Sequence, residues 1–308
     1  MRKRWLLNLT LLGVILVLVA LVIYTNEQEK PTEQPKLTDL DAGKVQNIRI
    51  ERADKEPISL MKDALGFWQM TAPFNLPANN YQVDRLLQTL SERDYKPLEA
   101  DNLNLADFKL SPPLASVKFD QLTVAFGDNS PLDDRQRYVR VLKKIYLLTD
   151  RLYYILSSDA LTFANRSLLG NNPKITELKM PDYHLLLKED KWTVTTALSS
   201  NEIDTSQDAL NALIDRWQHA SAYNIERYDA KSQAQGEIAI TLLGQEQPLH
   251  LTIVSKTPDL VLARPEKGVQ YKLSVIQVDK LLHLPTEPKS TKSEDKAVSQ
   301  EGNDSTEE

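Results

Sequence analysis

The chain has 308 residues, 41% of them hydrophobic, with 37 Lys and Arg set against 43 Asp and Glu for a net charge of −6 at pH 7. That length is enough for two modest domains with apolar cores, and the mild acidity argues against a nucleic-acid-binding face, which needs a basic surface. There is no cysteine, which excludes disulfides, a thiolate nucleophile, a cysteine zinc site and a lipid anchor through cysteine.

Arg2-Lys3-Arg4-Trp5 precedes an apolar run from Leu6 to Tyr24, interrupted only by Asn8, Thr10 and Gly13. As a helix these 19 positions extend about 28 Å, close to the hydrocarbon thickness of a bilayer. The run is longer than the apolar stretch of a secretory signal, and no small-x-small triplet follows it. A retained transmembrane anchor is therefore expected over residues 1–24, with the bilayer contacted through Leu6 to Tyr24. The basic cluster should stay in the cytoplasm and the body emerge on the far side. Residues 25–43 are polar and read as a flexible linker. Residues 286–308 hold seven acidic and three basic side chains with almost nothing to bury, and read as a disordered acidic tail.

Between linker and tail the pattern occurs twice, in residues 44–166 and 167–285. In the first copy, Asn47 to Glu51 alternates as a strand, and Leu60-Met61-Lys62 with Gly66 to Met70 reads as a hairpin. Asn79-Asn80 then precedes Val83, Leu86, Leu87 and Leu90, the spacing of a capped amphipathic helix. Alternating strands follow at Val117/Phe119, Leu122/Val124/Phe126, Val139/Val141 and Ile145/Leu147. The second copy has a strand at Ile175 to Leu178 and a hairpin of His184–Lys188 with Trp192–Val194. A helix over Leu210, Leu213, Ile214 and Trp217 follows Asp204-Thr205. Strands then come at Ile238/Leu242, Leu249/Ile253, Leu260/Leu262 and Tyr271/Leu273. Each copy ends in a short apolar helical segment, Tyr153 to Leu156 and Val278 to Leu282, and Trp68 and Trp192 occupy equivalent places 124 positions apart. The fold class expected is α+β: one N-terminal transmembrane helix, then two similar lobes, each a mostly antiparallel sheet with one main amphipathic helix.

Gly66-Phe67-Trp68-Gln69-Met70 followed by Pro73, the Asn-capped helix, Phe108-Lys109-Leu110-Ser111-Pro112-Pro113 and Phe126-Gly127-Asp128 together resemble the DUF4340 family of bacterial membrane-anchored proteins, over roughly residues 45–285. Where that family usually has Phe-Gly-Leu-x-x-Pro, this chain has Lys109 in place of the glycine, and the second copy has no such segment. With the basic start and apolar run, the expectation is a single-pass protein of the bacterial inner membrane with its body in the periplasm; the resemblance implies an envelope protein. It also implies an accessory role, in some relatives alongside ABC-type export systems, and it supplies no catalytic residues.

Candidate chemistry is sparse. His184, His219, His250 and His283 are scattered, with no metal-ligand spacing. Asp39/Asp41 and Asp133/Asp134 could hold a hard cation, but the former lie in the linker and the latter in a turn-like stretch. No nucleophile elbow or phosphate-binding glycine loop occurs, so no catalytic residue, metal or cofactor is expected. Arg135, Arg137, Arg140, Lys143 and Lys144, with Arg151 close behind and Tyr138, Tyr146, Tyr153 and Tyr154 interleaved, form a candidate anion-binding patch. The alternative is a solvated sheet face with Lys143-Lys144 in a hairpin turn. Trp68, Trp192 and Trp217 either line a groove or, as their apolar positions suggest, pack in the core. The function expected is a non-enzymatic accessory or scaffold whose partner is another membrane or envelope protein. An extracytoplasmic module for an anionic glycan or lipid, and a hydrolase with unrecognised carboxylates, are the competing readings.

Overall fold

The computed structural model describes residues 11–21, 34–98, 103–198 and 203–286. Helix α1 covers residues 11–21. The first half of the body then contains β1 (Asn47–Arg52), β2 (Lys55–Lys62), β3 (Trp68–Ala72), β4 (Leu76–Pro77), α2 (Asn80–Gln88), β5 (Tyr95–Pro97), β6 (Ala115–Phe119), β7 (Leu122–Asn129), β8 (Gln136–Val141), β9 (Lys144–Thr149) and α3 (Tyr153–Leu156). The second half contains β10 (Ile175–Lys179), β11 (Tyr183–Lys188), β12 (Lys191–Thr196), α4 (Gln207–Gln218), β13 (Asn224–Arg227), β14 (Gly236–Leu242), β15 (Leu249–Ser255), β16 (Asp259–Arg264) and β17 (Val269–Ser274), followed by one π-helical turn at Val278–Leu282.

These strands form two antiparallel sheets. The nine-stranded sheet runs β4-β3-β2-β1-β6-β7-β8-β9-β5 and the eight-stranded one β12-β11-β10-β14-β15-β16-β17-β13. Set β4 aside and the two orders correspond term by term, the connectivity expected of a repeated unit. In each, the strand after the main helix pairs with the last strand of the meander, Tyr95 opposite Leu148 and Asn224 opposite Lys272. The expected hairpins form, with Lys62 opposite Trp68 and Lys188 opposite Lys191. Strands β4, β5 and β13 are absent from the sequence reading because runs of two to four residues are too short to display a period of two.

The core is built where the apolar spacing places it. Val83, Leu86 and Leu90 are buried along α2 and its extension, and Leu210, Leu213, Ile214 and Trp217 along α4. Trp217 Nε1 donates to the Leu281 carbonyl at 2.9 Å, which ties α4 to the π turn. The cap of α4 is Ser206, whose hydroxyl accepts from Ala209 N at 3.3 Å, rather than Asp204-Thr205. Asp204 instead accepts from Ser206 N and holds the turn before the helix. In β9 the buried residues are Ile145 and Leu148, not Ile145 and Leu147.

Three further observations bear on the expected boundaries and span. By compactness the chain divides into residues 1–57 with 83–157 and residues 58–82 with 158–308, not at residue 166. The cause is visible in the second unit, where Asn79 N donates to Phe163 O at 2.7 Å, Asn165 N to Pro77 O at 2.8 Å, and Ala78 bridges Ala164. In the expected linker, Leu37 and Thr38 are buried and their amides donate to the carbonyls of Glu92 and Leu90, because an apolar side chain in a polar stretch finds a place to pack. Finally, among the described residues no helix is long and apolar enough to cross a membrane. Residues 6–10 and 22–24 of the expected span, with Trp5, lie outside the described residues, as do residues 25–33 of the expected linker and residues 287–308 of the expected tail.

One crossing in the first unit carries the family-like segments. Asn104 caps a 3-10 turn over Leu105–Phe108, and Lys109 ends it at φ 50°, ψ 41°. The chain then lies directly on β7, so that a Cβ at Gly127 would overlap the Phe108 carbonyl oxygen and press on Leu110. Only glycine admits that approach. Lys109 sits in the left-handed region, which costs a non-glycine residue about 1–2 kcal/mol. This is the physical reason for a glycine at the corresponding family position. Lys109 gains an ion pair to Asp128 at 2.7 Å, worth about 0.2–1 kcal/mol for half-exposed partners.

Lys109→Gly is therefore expected to raise stability by about 1 kcal/mol. Gly127→Ala should lower it by about 3 kcal/mol, the upper end for forcing atoms into a packed site. Urea denaturation midpoints of the two variants check both signs.

Candidate functional site

Strand β8 alternates buried and half-buried residues, and Arg137 falls on the buried side with Val139 and Val141. At 6% exposure its guanidinium needs compensation, since an uncompensated buried charge is prohibitive. Nε donates to Asp150 Oδ2 at 2.7 Å, Nη1 donates to the carbonyl of Gly127, and the Tyr153 ring lies 3.8 Å from the guanidinium carbon. Asp150 also accepts from Tyr153 N at 3.0 Å through Oδ1, so the same carboxylate starts α3. On the other side of Gly127, the Lys109 ammonium, its own backbone neighbour Asn129 and the Arg137 charge hold the Asp128 carboxyl below its ordinary value.

A cavity of about 110 Å³ opens beside this pair. Arg85, Thr89 and Glu92 from α2 and the turn after it face Arg137, Asp150 and Arg151 across it. Arg85 donates from Nη1 to the Tyr154 hydroxyl at 2.8 Å and from Nη2 to the Arg151 carbonyl. Glu92 Oε1 accepts from the amides of Arg93 and Asp94 at 2.9 and 3.0 Å, while Oε2 lies 3.9 Å from Arg151 Nη1.

The expected basic patch is thus taken apart. Arg135 is exposed and paired with Asp133 at 3.1 Å. Arg140 lies on the face of β8 opposite Arg137, because three positions along a strand reverse the side. Lys143 and Lys144 are exposed in and after the β8–β9 turn. Of the five, only Arg137 reaches the cavity. Its companions Arg85, Glu92 and Asp150 come from segments up to 52 positions away, and only the neighbouring Arg151 carried a signal in the sequence. Of the interleaved tyrosines, Tyr138 packs edge-on to Phe108 at 4.7 Å and Tyr146 on Tyr95 at 5.1 Å, while Tyr153 lies against Arg137 and Tyr154 against Arg85.

The remaining candidates have local roles. His184 meets Glu177 at 2.8 Å, and Glu177 also accepts from the Thr241 hydroxyl at 2.9 Å. Those two hydrogen bonds, Thr241 first, lower the Glu177 carboxyl below its ordinary value. His219 and His283 each sit beside one aspartate on their own helical turn, and His250 is exposed. Asp41 caps the turn at Ala42–Lys44, and Asp133 pairs with Arg135. Among the described residues no three acidic or histidine side chains are placed to hold a metal ion. Trp68, Trp192 and Trp217 are core residues.

A pair of antiparallel sheets with one shared strand order, the first crossed by a loop over Gly127, defines a duplicated β-rich protein. The family model described as "Domain of unknown function (DUF4340)" matches residues 68–239, more than half of the chain, and the protein belongs to that family. No curated protein and no solved structure matches it.

Arg137→Met leaves Asp150 and the Gly127 carbonyl without their partner. It is expected to lower stability by about 3–5 kcal/mol. Asp150→Leu in the Arg137→Met background should cost less than the sum of the single changes. A double-mutant cycle on unfolding free energy measures the coupling.

Proposed function

We propose that the chain is a bacterial envelope protein, anchored in the inner membrane through Leu6 to Tyr24, with its two-sheet body in the periplasm and a non-enzymatic accessory or scaffolding role. One observation carries the reading. Helix α1 contains no polar side chain, and its large apolar residues from Leu11 to Leu21 are 48–64% exposed on every side. A helix apolar around its whole circumference and uncovered by its own protein is at home only in an apolar medium. The flanking basic residues Arg2, Lys3 and Arg4 set the orientation. The partner class that fits this placement is another membrane protein, and the family resemblance points to ABC-type export systems as the place to look.

Fusions at the C-terminus report the side directly. An alkaline phosphatase fusion should be active and a GFP fusion dark; the reverse pattern reverses the topology. Photo-crosslinking from exposed positions of the body in living cells should then recover a specific membrane protein, and recovery of none would remove the scaffolding role.

A further inference from the structure

We propose that the β8–β9 turn, Leu142-Lys143-Lys144, is a second membrane contact that docks the body on the anionic lipid surface of the bilayer holding the anchor. It rests on the anchor reading above and deepens it. Val141 faces Lys144 across the hairpin, so the turn has two residues, and Leu142 opens it at φ 55°. That position suits glycine, and a bulky apolar residue is strained there. Seven non-glycine residues among those described have positive φ, and Leu142 is the one apolar side chain of the seven. Other tight hairpins place Asp54, Asp120 and the pair Glu189-Asp190 there instead. Leu142 gains nothing from the fold in return, since it is 77% exposed. A strained backbone that presents an uncovered leucine has its reason outside the fold.

Charge selects the surface. Lys143 and Lys144 are exposed, and with Arg140, two positions before the leucine, they make no side-chain hydrogen bond or ion pair to a described residue. The acid on the adjacent β6–β7 turn, Asp120, is taken up by the amides of Gln46 and Asn47. An apolar tip among such cations is the composition that sits at an anionic membrane surface. Between β7 and β8, Leu132 is 96% exposed too, but it stands beside Asp133 and Asp134, whose charge such a surface repels. The tether permits the contact. Gln34 donates to the Tyr95 carbonyl at 2.7 Å, and Tyr95 faces Leu148 on β9. The turn meets that strand at Lys144, about 13 Å further along it. Residues 25–33 can span at most about 30 Å, more than that offset, so a span ending at Tyr24 leaves the turn within reach of the bilayer.

The chain has no cysteine, so one environment-sensitive NBD label can be placed at Gln121→Cys, on the β6–β7 turn at the same end of the sheet, or at Leu132→Cys. The full chain is reconstituted in vesicles of phosphatidylcholine alone or of an equal mixture with phosphatidylglycerol, and flotation after a carbonate wash reports the anchor. The Gln121 label should be blue-shifted and quenched by nitroxide lipid in the mixed vesicles and aqueous in the plain ones, and the Leu132 label aqueous in both. Lys143→Gln with Lys144→Gln should lower the docked-to-free ratio about fivefold per charge removed. Leu142→Gly, which relieves the turn and so folds at least as stably, should also lose the signal. The contact is overturned, and the anchor left standing, if the chain floats with the Gln121 label aqueous, with equal signals in the two vesicles or at the two labels, or with a signal that survives both sets of substitutions. A chain that does not float overturns both.

Discussion

The first unit depends on a backbone-to-backbone approach that only a missing side chain allows. With Gly127 bare, the Phe108–Leu110 segment can lie on β7, and Leu110 can join Ala125 and Ile145 in a small core bordered by Phe108 and Tyr138. That approach also aims the Gly127 carbonyl at Arg137 from the neighbouring strand. The guanidinium then draws in Asp150, and Asp150 sets the start of α3. A sheet, a crossing loop, a buried charge pair and a helical turn thus share one atom-scale requirement. It explains how an arginine is tolerated where a β-strand offers a position beside Val139 and Val141: the cost of desolvation is offset by three partners at once.

The two halves keep one strand order and diverge in what is laid over it. Between β5 and β6 the first half inserts the residues that include the crossing turn, whereas the second half passes from β13 to β14 through a few turn residues. The exposed face of the second sheet carries the Thr241–Glu177–His184 chain instead, a hydrogen-bonded cross-strand arrangement that ties β10, β11 and β14 together. The same scaffold has thus been stiffened by different means in its two copies.

Long periodic segments were legible in the sequence and short or contextual ones were not. The spacing of Val83, Leu86 and Leu90, and of Leu210, Leu213, Ile214 and Trp217, names the buried face of each helix because packing follows the 3.6-residue repeat. The tryptophans read as core are core. The lysine at position 109 could be seen to depart from the family pattern, and its positive φ supplies the reason. The basic patch failed as a unit because a cluster in sequence is not a cluster on a strand. Parity separates Arg137 from Arg140, and burial then commits Arg137 to Asp150. The cavity itself was invisible, since Arg85 and Glu92 meet Arg137 only through the pairing of β8 with β9 and the packing of α2. Leu37 and Thr38 were read as linker because two residues give no period, yet their hydrogen bonds to Glu92 and Leu90 make them part of the folded body.

The exchange at Ala78 and Ala164 has a corollary. Residues 58–82 belong to the same compact unit as residues 158 onward, and Ala78, Phe163 and Ala164 are almost fully enclosed there. A chain severed just before residue 158 would strip residues 158 onward of a segment contributed from upstream and lay that enclosed surface bare. The debt runs one way: the later unit holds a piece of the earlier sequence, so it can be cut out as a fragment only at the cost of its own interior.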